Sequence, residues 1–344
     1  MKKMFYKRIK ILVFFLLSFF AFQQTVLCDY MQEAAFISNL ANAKSERQKK
    51  NASFKLLKYY MYNKDYESAA TMGNKILNFK LSKKQKYNVY YSLANSYSFL
   101  KKTEKALEQG REAQYLYPKK IETKLLLGKI YIDNSLNELA ISQFKEVLDV
   151  DDDNFEALIS LANIYNFQKS YKLSLELFEK AEKEAGQNNK ELSIDDHVNM
   201  AISAKEIGRR EQAQTILEKI ENKNKTSALL LVSIYQSKQE FDKAIETLLP
   251  FVYHDETDIE IYCNLAQLYL LSNQFEKAKD LLIYFKSKNN QNIEAIDLLL
   301  IEAYHNIYHS KERELKELNK ILKYTNSDYL KSIIEKIIVF EKIK

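Results

Sequence analysis

Three stretches of this chain follow one template. "LANSYSFLKKTEKALEQGREA" begins at Leu93, "LANIYNFQKSYKLSLELFEKA" at Leu161 and "LAQLYLLSNQFEKAKDLLIYF" at Leu265. A small residue with a tyrosine three places later, Ala94/Tyr97, Gly128/Tyr131 and Ala162/Tyr165, recurs with a period of 34 residues. Ala106, Ala140 and Ser174 repeat at the same offset, as do Ala113, Val147 and Ala181. A fixed period of this length marks a repeat architecture. One helical hairpin cannot bury its apolar face alone, so neighbours must stack into a continuous core. Small residues such as Ala162 and Ser174 let helices approach, and large ones such as Tyr165 and Phe178 fill the space between units. Composition agrees with helices joined by short links. Five glycines and two prolines, Pro118 and Pro250, leave few residues for the tight turns of a sheet-rich fold.

The pattern resembles the tetratricopeptide repeat, a helix–turn–helix unit of 34 residues. Leu127, Gly128, Tyr131, Ala140 and Phe144 fit one unit, and Leu161, Ala162, Tyr165, Tyr171, Phe178 and Ala181 the next. Pro118 stands where the family often closes a unit. Leu56, Tyr60, Tyr66 and Ala69 mark a unit near 50–83, before those at 87–120, 121–154 and 155–188. Met200, Ala201, Gly208 and Ala213 mark a unit from about 194 after five extra residues. Leu231, Tyr235, Phe241 and Ala244 mark another, and Leu265, Ala266, Tyr269, Phe275 and Ala278 the one after it. A degenerate unit from about 294 keeps Tyr304 but has Arg313 where alanine is expected. The resemblance implies an all-α fold: a right-handed α-solenoid of about seven to eight stacked hairpins plus a capping helix. The expected organisation is a signal peptide or anchor at 1–28, an N-terminal helix at 29–49, the repeat array at 50–325 and a capping helix at 326–344.

Charge narrows the partners. Of the formal +6, five charges come from Lys2, Lys3, Lys7, Arg8 and Lys10, with no acid before Asp29; without residues 1–28 the balance is +1. That is not the basic footprint of a nucleic-acid binder. The basic start runs into "ILVFFLLSFFAF", Ile11–Phe22, and then Gln23 and Gln24. Charged, apolar and polar in that order is the layout of a secretory signal, and the run is short of the roughly 20 residues of a membrane span. "TVLC" ends at Cys28, a candidate for lipid attachment, although Thr25 and Leu27 depart from the bacterial lipoprotein box. Cleavage after Cys28, acylation on it and retention of the whole segment all stay open. The expected location is outside the cytoplasmic membrane: periplasmic, or membrane-anchored through the N-terminus and facing the periplasm. Cys263 is the other cysteine. If Cys28 is removed or acylated, no intramolecular disulfide forms and packing alone holds the fold.

No catalytic motif stands out. "HNIYH", His305 to His309, puts two imidazoles one helical turn apart, but Asn306 replaces the glutamate of a zinc-protease motif. "DVDDDNF", Asp149 to Phe155, offers alternate carboxylates, but Asn154 and Ser160 stand where a calcium loop needs glycine and glutamate. It reads as an inter-repeat turn with acids at a helix N-terminus. P-loop, dinucleotide and nucleophile-elbow patterns are lacking. No metal, cofactor or enzymatic activity is expected.

What remains is a surface. In tetratricopeptide arrays, residues of the first helix that do not pack in the core line a concave groove. That resemblance assigns Tyr91, Asn95 and Phe99 in one unit, Leu125, Lys129 and Ile132 in the next, and Ile159, Asn163 and Phe167 in the third. Asparagine both donates and accepts hydrogen bonds, which suits an extended peptide backbone, and aromatic neighbours suit its side chains. The lysine of the family's two-carboxylate clamp would fall at positions such as Tyr91, Ile159 or Val198, none of them basic. The expected function is a non-enzymatic scaffold of a bacterial cell envelope that binds partner proteins or peptides. A membrane-anchored scaffold for carbohydrate or lipid, and an enzyme without a visible motif, are the alternatives.

Overall fold

The computed structural model describes residues 31–252, 255–289, 293–308 and 311–343, apart from the side chains of 311 and 340–343. Among them every regular element is an α-helix. Helix α1 covers 31–41. It is followed by the pairs α2 (Glu46–Tyr62) and α3 (Tyr66–Ile76), α4 (Lys83–Phe99) and α5 (Thr103–Leu116), and α6 (Ile121–Asp133) and α7 (Asn137–Leu148). Then come α8 (Phe155–Phe167) and α9 (Tyr171–Asn188), α10 (Ile194–Glu206) and α11 (Arg210–Glu218), and α12 (Lys225–Ser237) and α13 (Phe241–Val252). The pairs α14 (Ile259–Leu271) with α15 (Phe275–Lys288) and α16 (Glu294–Ile307) with α17 (Lys311–Tyr324) precede α18 (Asp328–Ile343). The expected boundary at residue 50 falls inside α2. A capping box between Ser45 and Gln48 fixes the start of that helix at Glu46.

The chain divides into two compact units, one running to Ile164 and the other from Tyr165. In the first, α2/α3, α4/α5 and α6/α7 pack as hairpins, and α3 on α4 and α5 on α6 link each hairpin to the next. In the second, α10/α11, α12/α13, α14/α15 and α16/α17 do the same, joined through α11 on α12, α13 on α14 and α15 on α16. Each unit is therefore a stack of helical hairpins, the arrangement of an α-solenoid.

The recurrent tyrosine has a second role that its side chain does not reveal. The residue four places after it is left-handed in hairpin after hairpin: Lys64, Lys101, Ser135, Lys169, Gln239 and Asn273 all have φ near +60°. The next amide then donates back to the tyrosine carbonyl, as Lys102 does to Tyr97 at 2.9 Å, Ser170 to Tyr165 at 2.8 Å and Gln274 to Tyr269 at 2.7 Å. This closes the last turn of the first helix and aims the chain into the second. Only Gly208, bonded through Arg209 to Ala204, meets the conformation with a glycine. At the other positions an L-residue tolerates a cost of roughly 1–2 kcal/mol to make the turn.

The repeat-marking residues are core. Leu93, Ala94, Ala106, Leu127, Ala140, Phe144, Leu265, Ala266 and Ala278 have no exposed surface, and Tyr97, Tyr131, Tyr235 and Tyr269 are buried. Tyr165 is half-buried. Within the first unit, small and large residues alternate by need. A Cβ on Gly128 would lie 2.5 Å from the Phe144 ring, and one on Gly110 would lie 2.6 Å from Leu127. Gly128→Ala therefore costs about 1–3 kcal/mol through overpacking, although alanine favours helix by roughly 1 kcal/mol. Denaturant melts showing a gain instead would mean that Phe144 has room to move.

Helix α1 lies on α2 through Phe36, whose ring meets Tyr59 at 5.6 Å, and through the Tyr60 hydroxyl, which donates to Glu33 Oε1 at 3.1 Å. Burial, and then the bond to Glu33, push the Tyr60 hydroxyl from 10.0 up to about 12. The folded state holds this proton more tightly than the unfolded chain. Its stabilisation is complete below pH 10 and is lost as pH rises toward about 12. Tyr60→Phe should flatten that part of an alkaline titration of stability. An unchanged alkaline slope would remove Tyr60 as its source.

Candidate binding groove

The first helices of three successive repeats meet at one cleft of about 520 Å³, wholly within the first unit. Tyr91, Asn95 and Phe99 line it from α4, at intervals of one helical turn. Leu125 and Lys129 do so from α6, and Glu156 enters from the first turn of α8. Five of the nine residues assigned to a groove from the repeat register thus share one cavity. Ile132 is half-buried and outside its lining. Ile159 and Asn163 are half-buried on α8, and Asn163 already interacts within the protein. Phe167 is 79% exposed and belongs to the second unit.

The cleft has an apolar floor and a charged rim. Leu126 joins Leu125 in the lining, and Phe99 stacks on Tyr66 with ring centroids 4.2 Å apart while remaining 59% exposed. Tyr91 stacks on Tyr87, whose hydroxyl shares a hydrogen bond with Thr123 Oγ1 at 3.0 Å. Burial raises the Tyr91 hydroxyl above its ordinary range, helped by Tyr87, Glu122 and Glu156. The Asn95 amide has no hydrogen-bond partner among the described residues and is half-buried. On the rim Lys129 pairs with Glu156 at 2.6 Å and Lys101 with Asp133 at 3.4 Å.

Sequence reasoning missed Ser98, Lys101, Glu122, Leu126, Asp133 and Glu156 in this lining. Asp133 lies one turn beyond Lys129 on α6, so helical spacing carried that signal. Glu156 and Lys101 come from neighbouring elements and have no such signature.

A second cavity, of about 700 Å³, lies in the second unit between α11, α12 and α13. Of its polar side chains, Glu218, Lys223, Tyr235, Lys243 and Thr247 are already hydrogen-bonded. The Tyr235 hydroxyl donates to Glu218 at 2.7 Å, and Lys223 donates to the Ile220 carbonyl at 2.6 Å. Its lining lacks the exposed aromatic ring of the first cleft, since Tyr235 is buried and Phe251 half-buried.

Elsewhere the acidic stretch at 149–155 is a turn in which Asn154 Oδ1 accepts from the Ala157 amide and caps α8. His305 pairs with Glu314 at 2.8 Å, while His309 lies outside the described residues. Cys263 is half-buried, and burial pushes its thiol upward. Among the described residues no three His, Cys, Asp or Glu side chains gather as a metal site. No helix there is long and apolar enough to cross a membrane. The signal-like segment 1–28, with Cys28, lies outside the described residues.

A family model described as "Tetratricopeptide repeat" matches residues 87–120 and 259–283. The C-terminal part of a repeat-containing protein from Cytophaga hutchinsonii superposes with a TM-score of 0.58 at 16% identity, covering 71% of this chain and 98% of that one. A tetratricopeptide repeat protein from Parabacteroides merdae gives 0.51 at 17% identity, covering 74% and 99%. At such identities the likeness is one of fold. No curated protein matches the chain.

Proposed function

We propose that this chain, a tetratricopeptide-repeat protein, is a non-enzymatic scaffold of a bacterial cell envelope that holds partner proteins or extended peptides in the α4–α6–α8 groove. The observation that carries the reading is the composition of that cleft. Tyr91, Asn95, Phe99, Leu125 and Lys129, which the repeat core leaves partly or fully uncovered, line one cavity. Such a surface offers an extended backbone an amide partner and its side chains an apolar seat. The envelope location rests on the basic and apolar order of residues 1–28.

Affinity capture from cross-linked envelopes tests the groove. Joint Asn95→Ala and Phe99→Ala substitution should reduce partner recovery at least about tenfold, because central aromatic anchors carry most of the energy in such interfaces. Unchanged recovery would place binding elsewhere on the chain. Mass spectrometry of the mature N-terminus tests location. A chain cleaved after Cys28, or acylated on it, agrees with export, whereas an intact unmodified start in a cytosolic fraction contradicts it.

A further inference from the structure

The rim charges of the groove select among extended partners. Two lysines, Lys101 and Lys129, face three carboxylates, Asp133, Glu156 and Glu122. Both lysines are engaged, with Asp133 at 3.4 Å and Glu156 at 2.6 Å. Among the described residues Glu122 is left with Lys120 alone, at 3.7 Å, in a pair with both side chains about half-exposed. Exposed pairs of this kind contribute little, so Glu122 remains open to a stronger cation. Its field, with that of Glu156, also reaches the floor, where it helps hold the Tyr91 hydroxyl protonated. The lining itself holds one carboxylate more than it holds lysines, and an acidic ligand would have to displace a carboxylate from one of those lysines.

We infer that the groove takes an internal, extended segment of a partner protein that carries a lysine or arginine next to an apolar residue. The apolar side chain rests on Phe99 and Leu125, the Asn95 amide pairs with the segment's backbone, and the cation reaches Glu122. Neighbouring side chains of an extended chain point to opposite sides, which fits a floor contact beside a rim contact. This inference rests on the groove reading above and adds the chemistry of the ligand.

The test is panning of a random, end-blocked peptide library against the immobilised full chain and three variants: Glu122→Gln, Glu122→Lys, and Asn95→Ala with Phe99→Ala. Circular dichroism checks that each variant is folded. On the wild-type chain, peptides with a basic residue beside an apolar one should be enriched about fivefold over their acidic counterparts. Glu122→Gln should erase that preference, and Glu122→Lys should reverse it. Enrichment that depends on Asn95 and Phe99 but shows no charge preference, or an acidic one, overturns this inference and leaves the groove reading intact. No enrichment, or the same enrichment on the Asn95 and Phe99 double variant, overturns both.

Discussion

Phe178→Ala should destabilise the protein by about 3–5 kcal/mol in denaturant melts. Phe178 has no exposed surface and stands four residues after Ser174, itself fully buried on α9. Phe144 occupies the same place relative to Ala140 in the preceding repeat, where its ring fills the space left by Gly128. Truncation removes the ring from water-free surroundings and leaves a cavity that close-packed helices cannot fill. In a repeat array the loss acts through the interfaces with adjacent hairpins, so unfolding should begin around α9 and spread. Leu173→Ala on the same helix, 48% exposed, is the control and should change stability by no more than about 0.5 kcal/mol. A Phe178→Ala loss below about 1 kcal/mol would contradict the register.

Asp297→Ala should open the last hairpins of the second unit at a cost of about 2–4 kcal/mol. Asp297 lies in the first turn of α16 and is 1% exposed. Lys286, near the end of α15, bonds to its carboxylate. Tyr324, at the end of α17, donates to the same oxygen at 2.9 Å and accepts from Lys286 at 2.7 Å. The ammonium also sits 4.1 Å from the centre of the Tyr324 ring. Removing the carboxylate strands a largely buried cation, and that desolvation dominates the cost. Replacing both partners, Lys286→Met with Asp297→Leu, should restore most of the stability, since neither charge is then buried. Hydrogen exchange of α15, α16 and α17 should report the single variant as local opening and the double variant as nearly wild type. Equal protection in all three proteins would mean that the cluster does not hold these helices together.

The hairpin pattern was legible because packing imposes it on side chains at a fixed period. Leu93, Leu127 and Leu265 are buried where the period puts them. Other features depend on contacts that have no period. Gly110 stands at the place of Phe144 and Phe178 because Leu127 arrives there from the next hairpin, and only the packed helices reveal that approach. The left-handed turns at Lys64, Lys101 and Lys169 were hidden because lysine is not a residue that announces positive φ. The cluster of Lys286, Asp297 and Tyr324 joins the facing ends of α15 and α16 to the end of α17, 27 residues beyond Asp297. The groove was legible in part for the same reason. Tyr91, Asn95 and Phe99 share a face through helical spacing within α4, whereas the pairing of Lys129 with Glu156 requires the stacking of α6 and α8. Asn163 was assigned to the surface by register, yet it is engaged within the protein.

The central claim is that the side chains the repeat core leaves uncovered on the first helices form the binding surface. Site-specific photo-crosslinking tests it most directly. A photoreactive phenylalanine analogue is placed at Phe99 or Leu125 in the cleft, or at Tyr115 on α5, which is 81% exposed and outside its lining. The account predicts partner adducts from the two cleft positions and none from Tyr115. Adducts from Tyr115 alone, or equally from all three positions, would contradict it.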